Sequence, residues 1–231
     1  MPASIVLHQW EISPFCQKVA RALRHKGLAF ETVNYNGLLG AKVGRLSKVG
    51  KLPVLDVDGQ SIQDSTRIAR WLDANFPHPY PSLYPADAQQ RAQVELWEDW
   101  ADELLYWFEV YFRVNDPEAL DEAVRMSCAG RPAVERLPIK LALRLGLRLQ
   151  LNSQGLGRMQ PEDVGAELLR HLDRIETVLS HSVWLVGTAK TIADIAVGSQ
   201  LLEIQRTSSR LRPELQRRPY LAAWLDRVKA P

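Results

Sequence analysis

Residues 77–85, Pro-His-Pro-Tyr-Pro-Ser-Leu-Tyr-Pro, place four prolines in nine positions. Each proline removes a backbone donor and blocks a helix interior, so neither a helix nor a ladder-forming strand can run through them. The segment reads as a linker. It divides the 231 residues into two parts with different periodicities.

The first part alternates short strand and helix patterns. Residues 4–8 are a branched apolar run that predicts a strand. Ser13-Pro14 is a helix start, Ser as N-cap and Pro at the first helical position. Phe15, Val19, Ala20 and Leu23 then recur at helical spacing until Gly27 ends the run. A second strand is expected over residues 30–33, then a loop with a short helix over 36–50. A third strand over 52–57 is entered through Pro53, and Asp58-Gly59 is a hairpin signal into a returning strand at 61–63. Ser65 to Asn75 predicts a helix with Ile68, Ala69 and Leu72 on one face.

Beyond the prolines the period is helical almost throughout. Helices are expected from about Asp87 to Arg113, from Asp116-Pro117 onward, over 162–181, over 191–206 and over 213–229. Residues 141–151 alternate leucine as a strand would. Yet Arg136, Lys140, Arg144 and Arg148 repeat every four residues, and no partner strand is in sight, so helix is favoured. The expected architecture is an α/β domain over 1–77, a linker over 78–86 and an all-α helical domain over 87–231.

Composition bounds the class. Apolar residues make up 46% and charged residues 24%, enough to build a core. Two cysteines, Cys16 and Cys128, exclude a disulfide framework and fit a reducing compartment. No apolar run approaches the roughly 20 residues of a membrane span, and the N-terminus lacks a basic and apolar leader. The expected location is cytoplasmic. The net charge of +2 conceals +4 in residues 1–80, −8 in 81–135 and +6 in 136–231. The aromatic residues are densest in the acidic part and sparse in the basic 136–231 stretch, which speaks against nucleic acid. The five histidines show no zinc spacing, so no metal site is expected.

Three places can carry chemistry. Ser13 stands where a helix follows a strand, and a helix N-terminus favours an anion such as a thiolate. Its alternative role is capping alone. Cys16, one turn in, is either a thiol activated by the same helix end or a small buried hydrophobe. Pro53 either marks a cis bond, which would turn the Leu52 backbone outward to a peptide-like ligand, or simply starts a strand. At Asp64-Ser65, Ser65 can cap the following helix, whose N–H groups suit a carboxylate. Asp64 suits an ammonium. The alternative is again capping only.

The order and spacing of these signals resemble the thioredoxin-like domain of glutathione transferases. The matching stretches are SPFCQKVARALRHKGLAFE (13–31), GKLPVL (50–55) and QDSTRIARWLD (63–73). In the second part, Trp184-Leu185-Val186-Gly187 followed by Thr191-Ile192-Ala193-Asp194 is similar to the N-capping segment of that family's helical domain, a capping box with Asp in the Glu place. The resemblance implies glutathione as co-substrate. It implies that Ser13 hydrogen-bonds the glutathione thiolate and that Cys16 aligns with the second cysteine of redox relatives. Leu52, before Pro53, would pair with the cysteinyl backbone, Asp64 and Ser65 would bind the γ-glutamyl end, and Lys51 the glycyl carboxylate. No tyrosine lies in the first strand region, which argues against a tyrosine-type mechanism.

Trp10, Ile12, Trp107 and Tyr111 are the expected lining of an apolar pocket for a small hydrophobic electrophile. A homodimer and a detoxifying transferase activity are the corresponding expectations. Residues 124–161 look longer than in ordinary transferases. There, Gln154-Gly155-Leu156-Gly157-Arg158 is similar to a motif of the metaxin-like and failed-axon-connections-like branch, and also reads as a tight turn between helices. That branch suggests an alternative, a non-catalytic binding module whose basic stripe (Arg136, Lys140, Arg144, Arg148) meets an acidic partner or a membrane surface. Otherwise the stripe is a solvated face. A Cys16-dependent thiol transferase is a further variant.

Overall fold

The computed structural model describes residues 3–230. Four strands, β1 (Ile5–Gln9), β2 (Glu31–Asn34), β3 (Val54–Val57) and β4 (Gln60–Gln63), form one sheet in the order β2-β1-β3-β4. β1 runs parallel to β2 and antiparallel to β3, and β3–β4 is a hairpin. Asp58 and Gly59 turn that hairpin with φ of 48° and 85°, the left-handed pair that a two-residue turn between twisted strands requires.

Helix α1 (Pro14–His25) crosses from β1 to β2, as a parallel pair demands. A 3₁₀ turn (Gly37–Lys42) and the short α2 (Val43–Leu46) fill the next connection, and α3 (Ser65–Asn75) follows β4. The apolar spacing of α1 is realised, with Val19, Ala20 and Leu23 buried, and so is that of α3, with Ile68, Ala69 and Leu72 buried. Each residue of β2 is exposed, so this strand is the open edge of the sheet.

After the proline segment the chain is helical. α4 (Ala88–Trp100), a π-helical turn (Ala101–Leu105) and α5 (Tyr106–Asn115) form one interrupted rod. α6 (Pro117–Ser127), α7 (Arg136–Gln154), α8 (Pro161–Leu179) and α9 (Ile192–Thr207) follow. Residues 141–151 are helical, inside α7, and Leu156–Arg158 form a 3₁₀ turn between α7 and α8. Two expectations need correction. The helix read from Asp87 to Arg113 contains the π turn. The helix read over 213–229 is two helices, α10 (Arg212–Gln216) and α11 (Pro219–Lys229), because Pro219 cannot continue a preceding turn and opens a new one at its first position.

α9 is the axis of the second part, buried along nearly its whole length and packed against α1, α4, α5 and α11. Its N-terminus carries the expected capping box. Asp194 accepts the Thr191 N–H at 3.0 Å, and the same buried carboxylate accepts the Leu185 N–H and the Trp224 Nε1–H, each at 2.9 Å. At Gly198 an added Cβ would stand 2.6 Å from Val228, so glycine permits the close approach of α9 and α11. One apolar core runs from Leu7, Leu23 and Leu72 in the first part to Ile195, Leu201 and Trp224 in the second.

Two buried lysines tie the parts together. The Lys18 ammonium lies 2.7 Å from Glu98 and 2.6 Å from Asp102, and donates to Thr66 at 3.1 Å, joining α1, α3 and the α4 rod. Burial works against that ammonium, but Asp102 and Glu98 outweigh it and its pKa is raised. Lys26 donates to the carbonyls of Phe76 and Pro81 and lies 2.9 Å from Asp73, fastening the proline segment to the end of α1.

Candidate functional site

The sheet register brings the three candidate places to one end. His8 faces Val54, and Val54 faces Gln63. The chain leaving β1 toward Ser13, the chain entering β3 through Leu52-Pro53, and the chain leaving β4 into Asp64-Ser65 therefore share an edge of the molecule. Both α1 and α3 begin there, so two sets of free N–H groups and two positive helix ends meet.

Ser13 is the N-cap of α1, with extended φ and ψ of −79° and 123°, and Pro14 occupies the first helical position. The Ser13 Oγ accepts the Cys16 N–H at a long 3.5 Å. Among the described residues its own O–H donates to no oxygen or nitrogen. The side chain is half-buried, within reach of a ligand.

Cys16 is fully buried with Val43, Leu52 and Val54 and beside Trp10. Burial pushes its thiol up to about 12, against the Ser13 hydroxyl and the Trp10 backbone, which favour the thiolate. Desolvation outweighs these two, and Cys16 is a core side chain.

The Leu52-Pro53 bond is cis. Leu52 lies outside β3, and among the described residues neither its N–H nor its C=O bonds within the chain. Such a pair of backbone groups is what an extended peptide ligand pairs with. Lys51, one residue earlier, is exposed, and its N–H donates to Ser47 Oγ at 3.2 Å.

At α3 the cap is Asp64, not Ser65: the Asp64 Oδ1 accepts the Arg67 N–H at 3.0 Å. Asp64 holds φ of 77°, a left-handed conformation that a side chain adopts at a cost. Ser65 becomes the first helical residue and is buried, with its N–H among the unpaired donors of the helix end.

The expected pocket residues separate. Ile12 is buried against Ala123 and Met126 of α6. Trp10 is a half-buried strut between α6 and the segment after β2, its Nε1–H donating to the Tyr35 carbonyl at 3.0 Å. Trp107 packs against the main core beside Tyr106. Tyr111 is 5% exposed and belongs to that core, packed edge-on against Phe112.

The aromatic side chain that reaches the start of α1 is Tyr106, whose ring centroid lies 4.9 Å from that of Phe15. Burial, then the nearby Glu109, holds the Tyr106 hydroxyl up at about 12, against the pull of Arg113. It is a neutral donor at physiological pH.

Two arginines from the helical part grip the loop before Ser13. The Arg113 Nη2 donates to the Ile12 carbonyl at 3.3 Å, and the Arg206 Nη2 donates to the Glu11 carbonyl at 3.1 Å. Gln17 adds a bond to the same Glu11 carbonyl at 2.7 Å. Each arginine is paired within its own helix, Arg113 with the buried Glu109 and Arg206 with the buried Glu203. Burial raises the Glu109 carboxyl to about 7, against the opposing pull of Arg113. Sequence reasoning missed this group. Its one available signal is charge inside apolar helical runs, Glu109 and Arg113 in Tyr106–Val114 and Glu203 and Arg206 at the end of α9.

A cavity of about 560 Å³ begins one turn along α1 from Ser13, lined by Gln17, Arg21, Glu203, Arg206 and Arg212 among others. It is polar, unlike a seat for an apolar electrophile. Among the described residues no group of three or more His, Cys, Asp or Glu side chains is arranged to hold a metal ion.

Comparison with known proteins gives consistent matches. Residues 7–80 match the glutathione S-transferase N-terminal domain family, and residues 150–227 match the C-terminal domain family. The protein LigF of Sphingobium sp. (strain NBRC 103272 / SYK-6) is 26% identical over 233 residues, which span 92% of this chain and 84% of LigF. Its crystal structure, described as that of a beta-etherase, superposes with a TM-score of 0.72 at 24% identity, covering 99% of this chain and 96% of that one. The "Probable glutathione S-transferase GSTU1" of Oryza sativa subsp. indica is 31% identical over 172 residues, 69% of this chain and 70% of that protein. A glutathione S-transferase of Methylobacterium radiotolerans JCM 2831, solved with glutathione sulfonate, has a TM-score of 0.61 at 26% identity, covering 98% of this chain and 91% of that one.

Proposed function

Because the chain belongs to the glutathione S-transferase family, we propose that it binds reduced glutathione at the shared end of the sheet. It then transfers the sulfur to a small apolar electrophile. The observation that carries this reading is Ser13: a half-buried hydroxyl at a helix N-cap, its O–H uncommitted to oxygen or nitrogen, beside the unpaired Leu52 backbone and the α3 N-terminus.

The donors and acceptors fit a thiol tripeptide. The Leu52 N–H and C=O pair with the cysteinyl backbone. The N–H groups of Ser65 and Thr66 receive the γ-glutamyl carboxylate, and Asp64 takes the adjacent ammonium. Lys51 meets the glycyl carboxylate. The thiol then falls at the N-terminus of α1, where the positive helix end favours thiolate and the proton leaves to water. The Ser13 O–H donates to the sulfur and keeps one lone pair aimed at the electrophile.

The sulfur forms a bond to the electrophilic carbon, and the leaving group departs with its electron pair. Phe15 and Tyr106 supply the apolar surface beside the sulfur, in place of Trp107 and Tyr111. Much of the rate gain comes from thiolate fraction and from proximity. A Cys16-dependent thiol transfer is disfavoured by the burial of that thiol. Within this reading, residues 1–77 are the glutathione-binding domain, 78–86 the linker and 87–231 the helical domain. The protein works as a homodimer in the cytoplasm.

The test is steady-state kinetics of Ser13→Ala with glutathione and two electrophiles. One is an activated aryl halide. The other is a β-ether, chosen because LigF is described as a beta-etherase. Losing one donor to a developing or stabilised anion lowers turnover by about 10²-fold with glutathione affinity nearly unchanged. Unchanged turnover would reduce Ser13 to a helix cap.

A further inference from the structure

We propose that the outward face of α7 docks the protein on an anionic lipid surface. Nothing in the thiol chemistry above uses this helix. α7 has 19 residues, and only Leu151 among them is buried. The sequence is laid out in four rows, each repeating every four residues, which on a helix keeps successive members of a row adjacent as the row winds slowly around the axis.

One row faces inward. Ile139 and Leu143 pack on Leu120, Val124 and Cys128, next to α6, and Leu147 and Leu151 join the main core. The row on the far side is Leu137, Leu141, Leu145 and Leu149, exposed by 67%, 53%, 63% and 71%. Val134, 79% exposed, extends it by a turn. The row between them on one flank is Arg136, Lys140, Arg144 and Arg148. The other flank holds the small or neutral Pro138, Ala142, Gly146 and Gln150.

α7 contains no aspartate or glutamate. Lys140 pairs with Asp121, whereas Arg136, Arg144 and Arg148 have no ion pair among the described residues. An aligned row of four exposed leucines is not the surface of a helix that faces only water.

Charge and shape choose the occupant. A second copy laid antiparallel on this face would bring arginine rows against arginine rows. Leucines every four residues also drift around a helix by about 40° per step, so they make no coiled-coil seam, which needs a 3.5-residue repeat. A protein helix would need a groove, but this surface is a single protruding helix. A lipid interface needs neither. Leucines enter the boundary of headgroups and acyl chains, and arginines remain with the anionic headgroups. Among the described residues no helix is long and apolar enough to cross a membrane, so α7 lies on the surface.

The experiment is co-sedimentation of the full chain with vesicles of phosphatidylcholine alone and of phosphatidylcholine with phosphatidylglycerol, at low and high ionic strength. One variant combines Arg136→Gln, Arg144→Gln and Arg148→Gln. The other combines Leu137→Gln, Leu141→Gln, Leu145→Gln and Leu149→Gln. All seven side chains are exposed, and unchanged melting curves verify that both variants fold.

The protein should bind the anionic vesicles, with binding that falls steeply as salt rises. The arginine variant should lose about a hundredfold in partitioning, and the leucine variant should not bind even at low salt. No binding to anionic vesicles at low salt, equal binding to the neutral ones, or full binding by the leucine variant would each overturn the proposal. Self-association abolished in the leucine variant, without vesicle binding, would assign the face to a second copy instead.

Discussion

Arg113 and Arg206 reach the carbonyls of Ile12 and Glu11 from helices 101 and 195 residues away, so the helical part fixes where Ser13 sits. Glu109, which holds Arg113, is fully buried and carries a carboxyl raised by burial from 4.5 to about 7. A raised carboxyl favours the folded state while protonated. That contribution is complete below the unfolded value and is lost as pH rises through about 7. Between about pH 5 and about pH 8, Glu109→Gln, which cannot ionise, should therefore lose less melting temperature, or gain more, than the native chain. Identical pH dependence in the two proteins would show that Glu109 does not titrate there. At this scale the readable residues are the ones whose role is local. Ser13 caps because Pro14 follows it, and Asp64 and Ser65 sit where a strand meets a helix. Asp64 takes the cap from Ser65 because its positive φ is non-helical while Ser65 is already helical, so the helix starts one residue earlier than a Ser65 cap would place it. The Arg113 and Arg206 grips were illegible because each joins residues with no sequence relation.

Elements show the same division. The capping box of α9 and the limits of α3 were legible, since both depend on residues within one turn. The π turn at Ala101–Leu105 was not. A π turn inserts extra backbone and rotates the helix beyond it, which re-aims the side chains of α5 toward α1. Tyr106 is the one that reaches Phe15. Asp194 is the residue on which the α9 start depends most. Asp194→Ala leaves four buried donors, the Leu185 N–H, the Thr191 N–H and O–H and the Trp224 Nε1–H, without their acceptor. At about 1–3 kcal/mol for each unmet buried group, the loss should be at least about 3 kcal/mol. That corresponds to a fall of roughly 6–12 °C in melting temperature for a chain of this size. A shift under about 2 °C in calorimetry would mean that water or a rearranged loop replaces the carboxylate.

The whole molecule is two parts closed over α1. The sheet aligns three loops at one end, and α1 and α3 both point their N-termini there. Through α9, Arg113 and the Lys18 cluster, the helical part holds that end in place. The split at the prolines and the order of strands and helices were legible because periodicity changes sharply at residues 77–85. The proposed electrophile seat was not, because Phe15 of α1 and Tyr106 of α5 are brought together only by the fold. Binding of glutathione at this end of the sheet is checked by isothermal titration with reduced glutathione, on the native chain and on Asp64→Asn. Asparagine keeps the cap and tolerates the positive-φ backbone, so only the charge proposed to meet the γ-glutamyl ammonium is removed. The native chain should bind one glutathione per chain, and Asp64→Asn should weaken binding by about tenfold or more. No heat of binding at millimolar glutathione, or equal affinity in the two proteins, would contradict the assignment.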